Sequence, residues 1–124
     1  MSMQNNDDQK RKYYRLKYPL KALPRIRING DVYNVNEVSE GGLRVTLSSI
    51  HHFHQGLLIR GTLQLLNCVL AIEGRILRFD QDELVLKLSK GPSFKHMAAE
   101  QRYLLQHFPT HVRMLRRASA NQVA

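Results

Sequence analysis

Residues 25–47 read RIRINGDVYNVNEVSEGGLRVTL, and this stretch decides the fold. Ile26 and Ile28 alternate with Arg25 and Arg27, and Asn29-Gly30-Asp31 is a strong hairpin-turn sequence. Residues 31–38 then read as the returning strand, with Tyr33 and Val35 on one face, and Leu43, Val45 and Leu47 alternate with Arg44 and Thr46. A period of two sends successive side chains to opposite faces, so each segment has one face for a core and one for water.

The pattern continues outward in both directions. After a loop rich in His and Ser (48–56), residues 57–66 and 69–79 read as two long strands joined across Asn67-Cys68, with Gly61 and Gly74 as bulges or points of close approach. Residues 80–82 make a turn, and Leu84, Leu86 and Leu88 mark a sixth strand. Six short antiparallel strands with turns between them predict a six-stranded β-barrel over residues 25–90. Gly91-Pro92 breaks the last strand, Ser93 is a good N-cap, and Phe94, Met97, Ala98, Gln101, Leu104, Leu105 and Phe108 fall at helical spacing. This predicts a C-terminal α-helix over 93–108, ended by Pro109 and packed on the open end of the barrel. Residues 109–124 are a basic tail in which 111–117 can form a short helix. Toward the N-terminus, Pro19 and Pro24 make residues 11–24 an irregular basic arm. Residues 1–10 lack apolar side chains apart from two methionines and are expected to be disordered.

With 124 residues and 14.4 kDa the chain is one domain's worth of sequence. Cys68 is the sole cysteine, which excludes an internal disulfide and a Cys-based zinc site and fits a reducing cytoplasm. The polar, acidic first ten residues are unlike a signal peptide, and the longest apolar run, 68–72, is far too short for a transmembrane segment. The net charge of +9 is uneven: residues 1–30 hold eight Lys/Arg against two Asp, residues 31–108 balance at eight and eight, and residues 109–124 hold three Arg and no acid. The sequence thus predicts a neutral globule with basic ends. Basic ends suit an anionic partner, whether a nucleotide, nucleic acid, an acidic protein face or a membrane surface.

Two segments carry candidate chemistry. Arg11-Lys12-Tyr13-Tyr14-Arg15 places two arginines four apart ahead of the first strand. Their planar guanidinium groups fit phosphate oxygens or the O6/N7 edge of guanine and stack on flat bases. Glu37-Val38-Ser39-Glu40-Gly41-Gly42 lies between two strands. Glu37 can accept the N1–H and N2–H₂ pair of guanine, Ser39 offers a hydroxyl, and Gly41-Gly42 permit positive φ and open backbone N–H groups. Taken singly, the first reads as a solvated arm and the second as a turn.

In this order, ahead of this strand pattern and a terminal helix, the two segments resemble the PilZ domain, a family of bacterial receptors for cyclic di-GMP. The resemblance runs from about Arg11 to Phe108. The family's R-x-x-x-R is matched by Arg11 and Arg15. Its D/N-x-S-x-x-G is matched by Ser39 and Gly42, with Glu37 where Asp or Asn is usual. Asn36 is one residue out of register, which on a regular strand turns it to the other face. The resemblance implies a barrel that binds cyclic di-GMP on its outer surface, wrapped by the arm. Arg11, Arg15, Glu37, Ser39 and Gly42 are then the ligand-binding residues, with Lys10, Lys12 and Gly41 as possible additions.

No second domain acts as effector, so the signal is expected to pass to an unidentified effector protein. A ligand-blind adaptor of the same fold is the alternative reading. A small basic nucleic-acid-binding barrel is the third and least favoured, because the strands show no aromatic platform for stacking bases. His51, His52 and His54 read as an ordinary loop, not a metal site, and no catalytic signature appears. The expectation is a cytoplasmic, non-enzymatic receptor without a cofactor.

Overall fold

The alternation in residues 25–47 becomes a hairpin. β2 (Arg25–Ile28) and β3 (Asp31–Val38) are joined by Asn29 and Gly30 at φ of 52° and 88°, the pair of left-handed residues that a two-residue hairpin turn of right-handed twist requires. The computed structural model describes residues 14–47 and 52–123. β4 (Gly42–Thr46), β5 (Leu58–Gln64), β6 (Val69–Asp80) and β7 (Glu83–Lys90) follow. The strands run antiparallel in the order β3-β2-β5-β6-β7-β4, and β4 pairs back onto β3. This closes a six-stranded barrel, the arrangement that leaves no unpaired sheet edge. Inward residues such as Ile26, Val35, Leu63, Ile72, Leu84 and Leu86 are fully buried and form its core. Gly61 and Gly74 are points of close approach, since a Cβ at either would collide with a carbonyl oxygen, of Arg27 and of Lys87 respectively.

The arm departs from the irregular stretch expected over 11–24. Leu16–Lys17 form a short strand, β1, paired with Glu37–Val38 of β3, and Leu20–Ala22 make one 3-10 turn. Leu16 and Tyr18 flank the exposed Lys17 and are 3% and 5% exposed. That short alternation was enough to draw the segment into the sheet. The expected disorder of residues 1–10 concerns positions outside the described residues.

Helix α1 (Phe94–His107) begins at Ser93, whose Oγ accepts the His96 amide at 3.2 Å while His96 Nδ1 accepts the Ser93 amide at 3.0 Å. Of the apolar stripe, Met97 and Leu104 are buried, but Phe94 is 75% exposed and Leu105 38%. The centre of the buried face is a carboxylate instead: Glu100 is 0% exposed. Its Oε1 accepts the Tyr18 hydroxyl at 2.7 Å and the Leu66 amide at 2.9 Å, and its Oε2 accepts the Asn67 amide at 2.8 Å. A buried carboxylate is tolerable only with such partners. Glu100 thereby binds helix, β5–β6 turn and arm to one another.

Pro109 ends α1 but also starts α2 (Pro109–Val123), longer than the short helix expected over 111–117. Proline suits the first helical position, where its missing N–H is not needed. His111 Nε2 donates to the Lys17 carbonyl at 3.0 Å, so α2 also touches the arm. Among the described residues no helix is long and apolar enough to cross a membrane.

Glu100→Ala strands two backbone amides and a phenol, each worth about 1–3 kcal/mol when left unsatisfied. Its melting temperature should fall by roughly 10 °C or more in calorimetry. Burial, and then the Glu100 charge, push the Tyr18 phenol well above its usual range. The folded state therefore holds that proton more tightly than the unfolded chain. The resulting stabilisation is complete below about pH 10 and is lost as pH rises beyond it. Tyr18→Phe should be less stable at neutral pH, and urea titrations from pH 9 to about 12 should show a shallower alkaline decline than wild type.

Candidate functional site

β3 carries a bulge between Val35 and Glu37, where its register with β4 shifts. Val35 and Val38 are both fully buried, while Asn36 and Glu37 between them are half-buried and bond to outer-surface groups. Strict alternation would have separated Asn36 from Glu37, and the expectation that Asn36 turns to the other face is corrected here. A bulge inserts one residue and lets two neighbours share a side.

Glu37 meets the arm. Its Oε1 lies 3.7 Å from Arg15 Nη1, with the carboxylate side chain 12% exposed and the arginine 39%. The pairing of Lys17 with Glu37 in the β1–β3 ladder fixes this approach. Across the other edge Glu37 is the register partner of Arg44 on β4. Arg44 Nη1 donates to Glu83 Oε1 and Nη2 to Asp80 Oδ2, both at 3.0 Å. Asn36 Nδ2 donates to Thr46 Oγ1 at 2.7 Å and to Glu83 Oε2, and Arg78 Nε lies 3.2 Å from Asp80 Oδ2. Burial opposes the Arg44 charge, but the hydrogen bonds to Glu83 and Asp80 outweigh it and raise its pKa. Desolvation pushes the Asp80 carboxyl up, yet the hydrogen bonds and charges of Arg78 and Arg44 together leave it below the usual carboxylate range. A continuous polar strip thus runs from the arm over the outer side of β3, β4, β6 and β7, with arginine and carboxylate in equal number.

The bend after β3 lies at one end of this strip. The Ser39 amide donates to the Gly42 carbonyl at 2.9 Å, and Ser39 Oγ lies 3.4 Å from the same oxygen. Ser39 is 9% exposed, so its hydroxyl belongs first to the turn. Among the described residues positive φ occurs only at Asn29, Gly30, Gly56 and Gln81, not at Gly41 or Gly42. Glycine is needed at 42 for proximity instead: a Cβ there would sit 2.9 Å from the Leu86 carbonyl oxygen of β7. The Gly41 carbonyl accepts the Leu88 amide at 2.9 Å, which staples the bend to the same strand.

Arg15, Glu37, Ser39 and Gly42 therefore lie along one path from β1 through β3 into the bend. Lys10, Arg11 and Lys12 lie outside the described residues, as does His51. Arg44, Asp80 and Glu83 were missed by sequence reasoning, and Asn36 was set aside as facing away. The position of Arg44 between Leu43 and Val45 marks it as outward-facing, but its partners come from strands about forty residues away and need the register to be found. Cys68 is half-buried, and burial and then the Glu100 charge push its thiol up, as suits an unreactive residue.

A sequence model of one family, described as the PilZ domain, matches residues 9–108. No curated protein sequence matches. Among solved structures, an uncharacterized protein of Legionella is similar at 17% identity and a TM-score of 0.50, over 90% of this chain and 100% of that one. The Bacillus subtilis inhibitor of motility, MotI/DgrA, is similar at 21% identity and a TM-score of 0.56, over 80% of this chain but only 53% of that one. The PilZ domain of CeSA from a cellulose-synthesizing bacterium aligns at 16% identity and a TM-score of 0.47, over 76% and 99% of the two chains. At these identities the first two likenesses speak for the fold alone.

Gly42→Ala drives a methyl group against the β7 backbone, an overpacking that costs about 1–3 kcal/mol. Its urea midpoint should drop accordingly.

Proposed function

The chain belongs to the PilZ domain family, and from that premise we propose that it is a cytoplasmic receptor for cyclic di-GMP that orders its N-terminal arm around the ligand and signals to a partner protein. The observation that carries this reading is the meeting of Arg15, from the R-x-x-x-R segment, with Glu37, at the head of the S-x-x-G bend. Residues more than twenty positions apart in the chain come together as the family's binding motifs require.

The ion pair is loose, and a solvent-accessible pair of this kind contributes about 0–1 kcal/mol. A charge-assisted hydrogen bond to a phosphate contributes about 1.5–3 kcal/mol. The ligand therefore wins the competition for Arg15 and releases Glu37 to accept the N1–H and N2–H₂ of guanine. Ser39 holds the bend and offers its hydroxyl, and the bare Cα of Gly42 keeps the backbone open to close approach. The strip around Arg44 has no excess charge, since its arginines are matched by Glu37, Asp80 and Glu83. Attraction for a doubly anionic dinucleotide thus falls to Arg11, Lys10 and Lys12, which precede Arg15 in the sequence.

The same Arg15–Glu37 pair supports a rival reading, an adaptor blind to the nucleotide, because it neutralises the arginine from within the chain and Glu37 departs from the family's Asp or Asn. One titration separates the two. Isothermal calorimetry with cyclic di-GMP should show saturable binding to the wild type, weakened roughly tenfold to over a hundredfold in Arg15→Ala. Equal affinities would remove the arm from the site, and no binding by the wild type would leave the adaptor.

A further inference from the structure

Arg25 and Arg27 belong to β2, not to a tail, so part of the positive charge counted at the N-terminal end lies on the barrel wall. Both point outward, since Ile26 and Ile28 between and after them are buried. Their β5 register partners are Gln64 and Thr62, and Arg60 lies two residues before Thr62 on the same side. Arg60 is paired with Glu73 at 2.9 Å, but Arg25 and Arg27 form no ion pair among the described residues. Like charges two residues apart on one side of a strand repel, and no carboxylate among the described residues relieves them.

This basic wall runs into a cleft of about 440 Å³. Lys21, Arg25, Asn34 and Gln64 are its polar lining residues, Leu20, Leu23, Leu65 and Leu66 contribute a smaller apolar share of its exposed surface, and no acidic residue contributes. Leu20, on the 3-10 turn, is 87% exposed. Asn34 stands three residues before Glu37 on β3, so the cleft is roughly 10 Å along the strand from the arginine–glutamate pair.

We propose that the outer wall of β2 and β5, with this cleft, docks an acidic segment of a partner protein that carries one large aliphatic anchor. The unpaired arginines would take the carboxylates and the exposed Leu20 at the edge of the cleft the anchor. Arginine is enriched at protein interfaces relative to the rest of the surface, and exposed aliphatic side chains flank the pair here. Val32, the register neighbour of Arg27, is 48% exposed, and Val69, that of Gln64, is 62% exposed. Single-stranded nucleic acid is bound instead by stacking on aromatic rings, and neither β2 nor β5 contains one. The proposal supplies the kind of partner that the receptor reading calls for, yet it does not depend on ligand binding.

The test uses fluorescence anisotropy with a labelled polyglutamate peptide carrying a central leucine, the same peptide with serine at that place, and a DNA duplex. The leucine peptide should bind at least fivefold more tightly than the serine peptide. Arg25→Glu/Arg27→Glu should weaken it at least tenfold, Arg25→Gln/Arg27→Gln by less, and Leu20→Asp should abolish the leucine preference. All these variants should keep the wild-type cyclic di-GMP titration. Peptide binding indifferent to the β2 and Leu20 changes would overturn the proposal, as would DNA binding that is equally tight and falls with the arginines but not with Leu20. Loss of cyclic di-GMP binding in the wild type with the peptide results intact would retire the receptor reading alone.

Discussion

Closure of the barrel through β3 is the constraint on which the rest depends. Eight residues long, this strand is hydrogen-bonded to β2 along its first half and to β1 and β4 along its second. Without the β3–β4 ladder the sheet would have two open edges, and Val35, Val38, Leu43 and Val45 would lose the enclosure that buries them. The same ladder carries the bulge that turns Asn36 and Glu37 to one side. The structural and functional demands on β3 are therefore met by one irregularity: the two valines spaced three apart point into the core, and the polar pair between them points out.

Much of this could be read from the sequence, because the signals concerned are local. Ile26, Ile28, Val35, Leu43 and Val45 declare strands by their alternation, Asn29-Gly30 declares its turn by the backbone angles it tolerates, and Ser93 declares a helix start by its hydroxyl. The resemblance of Arg11-x-x-x-Arg15 and Ser39-x-x-Gly42 to a family pattern added the region where a ligand would lie. What stayed hidden depends on contacts distant in sequence. The bulge at Asn36 cannot be seen in β3 alone, since it is a mismatch with β4. Arg44 looks like any outward residue until Asp80 and Glu83 arrive from β6 and β7.

Glu100 was overlooked for a related reason. Its spacing from Met97 and Leu104 sets it in the middle of the apolar stripe, but charge argued for solvent, and only the fold supplies the phenol and two amides that make a buried carboxylate tolerable. Its partners explain the order in the arm. Leu16 and Tyr18 are held by the core and by this carboxylate, and the Lys17 carbonyl is held by His111 of α2. The segment that brings Arg15 to Glu37 is thus tied to both helices, and the site shares its foundation with the C-terminal part of the chain.

The anchored phenol has a geometric consequence. Two residues, Leu16 and Lys17, separate Tyr18 from Arg15, so that guanidinium is leashed near its target and competes at an effective concentration that a free cation would reach only in the millimolar range. Four further residues lead back to Arg11, which covalent geometry keeps within about 14 Å of Arg15. With the reach of the two side chains added, the length of the leash sets an upper bound on the span of any group both arginines grip together.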